Sequence, residues 1–371
     1  MKKVGIITFH ASHNYGSMLQ VYALQQVIIG MGYNCEVINF RTSRQKGFYC
    51  PPFMRGTILG RIKRTLIYLP FICSFIRKHR LFELFLKEKL ILTSKEYSTI
   101  EELESADFDY DYYISGSDQI WNKLCFDFDW AYFLSFVKTG KRIAYAPSMG
   151  PEPESSFENN YVLKIKSLLS RYDAISVREK ETALKIKDFT GGNYDVVLDP
   201  TLLLPSSYWS KIAGDKAMIS GRYVFLYTPW FNATVFEKAK MLAGKLNLKI
   251  VVSQLYNTKE NAWYFDKDFK LYLSVGPIEF LNLCKFADYT IGLSFHLVVF
   301  SILLHTPFYI INGLEDSRIR NLLKLTGLED RSISGSDENI FYNVRSIDFN
   351  AVNRKIEKER LKSLNWIEKS L

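Results

Sequence analysis

The chain has 371 residues, enough for two domains that each bury a core. Hydrophobic residues make up 47% and charged residues 23%, with 20 glycines and 11 prolines, which excludes a disordered or fibrous protein. The net charge of +9 has an address, because the stretch from Arg41 to Phe82 holds ten basic residues and no acidic one, and such local density attracts anionic partners.

The start, MKKVGIITFH, carries charge, but its apolar run is short and no small-residue cleavage site follows, so a cytoplasmic protein is expected. Strand VGIITF, loop HASHNYGS, an amphipathic helix with Val21, Leu24, Ile28 and Met31 on one face, and strand CEVINF form a βαβ opening. Asn14 sits at the helix cap and Gly16 lets backbone pass close to a ligand there. The spacing is not GxGxxG, so a dinucleotide is not indicated. Within the basic stretch, Thr65 to Ile76 is uncharged and contains Pro70; a bilayer span needs about 20 residues, so this segment is either a buried helix with solvated basic ends or an interfacial one. Further strands at DYYISGS, KRIAYAPS, DAISVRE and DVVLDPT predict a parallel sheet.

After Pro205 the pattern restarts with RYVFLYTP, helix FNATVFEKAKMLAGKL, KIVVSQLY, PIEFLNLCKFA, DYTIGLSF, a helix beginning HLVVFSILL, and PFYIIN. The tail from about Ala351 is a basic amphipathic helix. The expected fold class is α/β: two doubly wound, Rossmann-like domains facing a cleft. Residues 1–205 form the first, with a basic insertion at about 41–82, and 206–371 the second, whose last helix could pack back on the first. Five scattered cysteines without CxxC spacing suggest neither a disulfide frame nor a metal site.

Five segments place polar residues after apolar strands, where ligands meet parallel sheets. His10 to Gln20 either caps its helix or binds a ligand through His10, Asn14, Tyr15, Gly16 and Gln20. Ser117, Asp118 and Gln119, beside Trp121, suit sugar hydroxyls or a capped turn. Ser148 follows KRIAYAP, and Arg178 ends a strand, where it either forks onto a carboxylate or phosphate ligand or pairs with Glu179 or Asp199. Ser294, Phe295 and His296 stand at a strand-to-helix junction, where anions are bound and a histidine can exchange protons.

Together, TFHASHNYGSMLQVYALQQ, SGSDQIWN, RIAYAPSMG, ISVREKE, VVLDPTLLL and LSFHLVVFSILLHTPFYII resemble, in order and spacing, the polysaccharide pyruvyl transferase family, from about Val4 to Asn312. The resemblance implies a GT-B-like fold and transfer of a pyruvyl group from phosphoenolpyruvate to two hydroxyls of a sugar, giving a cyclic ketal in a surface polysaccharide, such as a capsule or exopolysaccharide, or its lipid-linked precursor. It puts His296 at the catalytic histidine and Arg178 at a donor-binding arginine. One departure matters: Ser294 stands where relatives carry an arginine before the histidine, so Arg318, Arg320 or Lys285 must complete the anion site. Asp118 is expected as the second catalytic residue, to deprotonate or orient an acceptor hydroxyl. No cofactor is implied beyond phosphoenolpyruvate as donor. The enzymatic alternative is a GT-B sugar-nucleotide glycosyltransferase. The basic stretch suggests peripheral contact with an anionic membrane at its inner face, and nucleic acid is not expected as a partner.

Overall fold

The computed structural model describes residues 1–150, 158–256, 266–337 and 346–371. Two six-stranded sheets organise the described residues. The first contains β1 (Lys3–Ile7), β2 (Asn34–Val37), β3 (Tyr112–Ser115), β4 (Lys141–Ala144), β5 (Ala174–Val177) and β6 (Asp195–Val196), in the order β2-β1-β3-β4-β5-β6. Its helical partners are α1 (Tyr15–Gly30), α2 (Ser43–Tyr49), α3 (Ile58–Ile67), α4 (Ile72–Lys89), α5 (Ile100–Glu104), α6 (Asn159–Leu169) and α7 (Lys180–Thr190), although α3 and α4 are shared with the second unit described below.

After α8 (Ser206–Ala213) the second sheet begins with β7 (Tyr223–Tyr227), followed by α9 (Ala233–Leu246), β8 (Lys249–Val252), β9 (Phe269–Leu271) and α10 (Pro277–Lys285). It continues through β10 (Tyr289–Gly292), α11 (Phe295–Leu303), β11 (Phe308–Ile311), α12 (Ser317–Thr326) and β12 (Ser332–Ile333) to α13 (Phe349–Ser370). The strand order is β12-β11-β10-β7-β8-β9. All the strand pairings in both sheets are parallel. Each sheet reverses its winding once, between β1 and β3 and between β7 and β10, and ligands of such sheets bind where loops diverge at that reversal.

Two compact units result. The first is Met1–Arg61, Phe82–Leu204 and Lys358–Leu371; the second is Ile62–Leu81 and Pro205–Glu357. The sequence reading divided the chain once, near 205, whereas the basic insertion is itself split: Ile62–Leu81 groups with the second unit and the end of α13 with the first. The physical reason is visible at both places. Lys78 donates to the Ser253 carbonyl at 3.4 Å, while Arg360 Nε donates to the Leu202 carbonyl at 2.7 Å and Trp366 Nε1 to Asp195 at 3.0 Å. The other half of α4 is fastened within the first unit: Arg41 forks onto Glu83 at 3.0 and 2.8 Å, and His13 meets the same carboxylate at 2.8 Å.

Two local expectations change. Helix α1 is buried on nearly every side rather than along one stripe, because it sits between the sheet and the segment after Asp199. The uncharged run Thr65–Ile76 is not one buried helix; Pro70 divides it, ending α3 before it and starting α4 after it, and no residue of α3 is buried.

Candidate functional site

At the reversal point of the first sheet, polar side chains interlock. Thr8 donates to the Ser117 carbonyl at 2.8 Å and accepts from Gln20 Nε2 at 3.2 Å, while Gln20 Oε1 accepts from the Ser117 N–H at 3.2 Å. Ser17 donates to Asp118 Oδ2 at 2.5 Å, and Asp118 Oδ1 accepts from the Gln119 N–H at 2.8 Å. Gly116 makes this approach feasible: its φ is +123°, and a Cβ there would lie 2.1 Å from the Tyr145 carbonyl oxygen. Asn14 caps α1 through the Gly16 and Ser17 N–H groups and is exposed, whereas Tyr15 is buried against the Phe82 ring. Gln119 holds Asn122 at 3.0 Å, and Ser148 donates to Glu179 at 2.5 Å.

His10 does not stand open to a sugar. Its ring is buried, meets Asn39 Oδ1 at 3.0 Å, and burial pushes its pKa down to about 4, so it is neutral at physiological pH and ties β1 to the segment after β2. Arg178 likewise takes the ion-pair alternative. Its guanidinium is buried with Asp199 at 3.0 Å, Glu179 at 3.5 Å and Asp118 at 3.9 Å. Burial opposes its charge, but the three carboxylates outweigh burial and hold its pKa above the usual arginine value. One guanidinium among three carboxylates is charge-compensated in this structure, so the geometry displays the ion-pair alternative at this position.

Sequence reasoning missed Asp127. It accepts a hydrogen bond from Tyr49, and burial pushes its carboxyl up to about 6, with the charge of Asp118 adding to the effect and hydrogen bonds from Tyr49 and Gln45 opposing it. The only local signal was an acid set among aromatics in CFDFDWAYF, which does not distinguish a buried acid held by a distant tyrosine from a cap such as Asp129.

At the reversal of the second sheet, the end of β10 runs against the end of β7 so closely that a Cβ on Gly292 would lie 1.8 Å from the Tyr227 carbonyl oxygen. Ser294 is the N-cap of α11 but makes no side-chain capping bond. His296, 8% exposed, lies in that turn with its ring edge-on to Phe295. Of the three cations offered in place of the missing arginine, only Arg318 is brought beside this junction, its guanidinium 6.0 Å from the Phe295 ring and held in two contacts by Asp316 at 3.0 and 2.5 Å. Lys285 ends α10 just before β10, at the opposite edge of the sheet, where it donates to the Ser210 and Gly214 carbonyls; Arg320 donates to Leu314.

A model of the family described as polysaccharide pyruvyl transferase matches residues 14–313, about four-fifths of the chain. The chain belongs to this family. Membership makes it a transferase of polysaccharide biosynthesis with a sugar or polysaccharide acceptor. No curated protein matches the sequence. Among solved structures, a putative UDP-N-acetylglucosamine 2-epimerase from Listeria monocytogenes is similar with TM-score 0.54 at 9% identity, covering 100% of this chain and 92% of that one. A glycosyltransferase involved in avilamycin A biosynthesis gives 0.52 at 10%, covering 100% and 97%. The UDP-GlcNAc 2-epimerase from Neisseria meningitidis, bound to UDP-GlcNAc, gives 0.51 at 11%, covering 98% and 100%. These likenesses concern the fold alone, and they agree with the expected pair of Rossmann-like domains of GT-B type.

Proposed function

We propose that this member of the pyruvyl transferase family takes phosphoenolpyruvate as donor and joins its pyruvyl carbon to two hydroxyls of one sugar as a cyclic ketal. The observation that carries the reading is the head of α11, where His296 stands in the first turn of a helix that follows β10 at the sheet's reversal, with Arg318 beside Phe295. An anion with both a carboxylate and a phosphate suits such a place.

The chemistry balances as follows. A proton adds to the donor methylene, which becomes methyl, and one sugar oxygen bonds to the adjacent carbon. The C–O bond to phosphate breaks, the second sugar oxygen bonds to the same carbon, and the two hydroxyl protons end on the methyl group and on phosphate. His296 is the proposed acid/base, since an imidazole can give the first proton and take one back. Arg318 and the α11 N-terminus are the proposed donor contacts, with Ser294 and Phe295 shaping that turn. Asp118, with Gln119 beside it and the exposed Asn14, is proposed to orient the acceptor, a free sugar or one carried on a lipid, while the fully buried Ser117, Ser148 and Gln20 hold that edge from behind; a hydroxyl-rich ligand matches a hydrogen-bonding, charge-compensated edge better than an anion does.

The test is isothermal titration with phosphoenolpyruvate and, separately, with a panel of sugar nucleotides, on wild type and Arg318→Gln. Saturable phosphoenolpyruvate binding, weakened about tenfold or more by Arg318→Gln, is expected. Sugar-nucleotide binding without phosphoenolpyruvate binding would overturn the donor and favour glycosyl transfer.

A further inference from the structure

Helix α3 is amphipathic the wrong way round for a protein interior. Ile58, Leu59, Ile62 and Leu66 share one face at helical spacing and are 75%, 81%, 55% and 69% exposed. Gly60, Arg64 and Thr65 are its half-buried positions, and Ile67, on the far side, is 55% exposed as well, so protein covers none of its aliphatic side chains. By the same periodicity Arg61 and Lys63 border the apolar face on its two sides, and Leu69, just beyond the helix, is exposed as well. A surface helix ordinarily hides its apolar stripe; four aliphatic side chains in water within little more than two turns mark a face that another phase covers.

Charge selects the occupant. The segment that carries the helix, 51–70, holds Arg55, Arg61, Lys63 and Arg64 and no acidic residue, so a second copy of the helix would meet its own positive charge, whereas an anionic lipid surface complements it. No helix among the described residues is long and apolar enough to cross a membrane, and α3 has only ten residues. We propose that α3 lies in the plane of an anionic lipid surface, with Ile58, Leu59, Ile62 and Leu66 among the acyl chains and Arg61 and Lys63 at the headgroup phosphates. This inference stands on the helix alone and does not depend on the identity of the donor.

Flotation of the full chain with vesicles of phosphatidylcholine, alone or mixed with phosphatidylglycerol, at low and raised salt tests it. Retention on the mixed vesicles at low salt, falling as salt rises, is expected. The double variant Ile62→Gln/Leu66→Gln, at exposed positions and checked for unchanged circular dichroism, should partition at least about tenfold less, because two inserted aliphatic side chains are lost. Absence of wild-type retention overturns the proposal, as does unchanged partition of the double variant. So does a wild-type dimer that the double variant converts to monomer, which would assign the face to a second copy.

Discussion

Arg178 carries one positive charge into a shell formed by Asp118, Glu179 and Asp199, and the shell depends on it as much as it depends on the shell. Removing the guanidinium leaves buried carboxylates facing one another with their desolvation uncompensated. Arg178→Ala is therefore expected to cost about 3–5 kcal/mol of stability. By the usual scaling for domains of this size, that lowers Tm by about 10 °C. Scanning calorimetry checks it; a Tm within a degree or two of wild type would mean the shell is hydrated or protonated. The residue type at position 178 was legible in the sequence and so was the pair of alternatives, ligand clamp or ion pair. What decides between them is the convergence of Asp118, after β3, and Asp199, after β6, onto the end of β5, and a distance between three separate strand ends is not written in any local pattern.

At the scale of elements, the junction from β10 into α11 sets where His296 points its backbone. Gly292 has no side chain because the Tyr227 carbonyl and a Leu297 methyl already fill the space, at 1.8 and 2.8 Å from where a Cβ would be. Gly292→Ala must push β10 away from β7, and we expect a loss of about 1–3 kcal/mol or more. Urea denaturation reads the loss, and the proposed phosphoenolpyruvate binding should weaken along with it; unchanged stability would mean that β7 yields without cost. The strands themselves were readable because a parallel sheet covered on both faces demands short unbroken apolar runs, as in YVFLY and FYII. The short β9 and β12 lack such runs and went unseen. The outward face of α3 was hidden for another reason: periodicity reports that a helix has an apolar side, never which side meets the protein.

For the whole molecule, the decisive feature is that both units are discontinuous in sequence. The first unit draws on Lys358–Leu371, where Ser363 accepts from the Leu198 N–H at 3.0 Å, Arg360 holds the Leu202 carbonyl and Ile367 is buried. These contacts brace the segment that carries Asp199 and packs on α1. A chain ended at Glu357 should lose about 3–5 kcal/mol from the first unit, counting the lost hydrogen bonds and apolar burial. Intrinsic fluorescence of urea unfolding should then show an early transition; a single transition at the wild-type midpoint would show that the strap adds nothing.

The same discontinuity sets an order of events during synthesis. A ribosome delivers β1 first and residues 358–371 only after the whole of the second unit, so the polypeptide that starts the first Rossmann-like domain waits for its closing strap until its neighbour has been made. Until then the segment after Asp199 lacks its brace, and the edge proposed to hold the sugar assembles last.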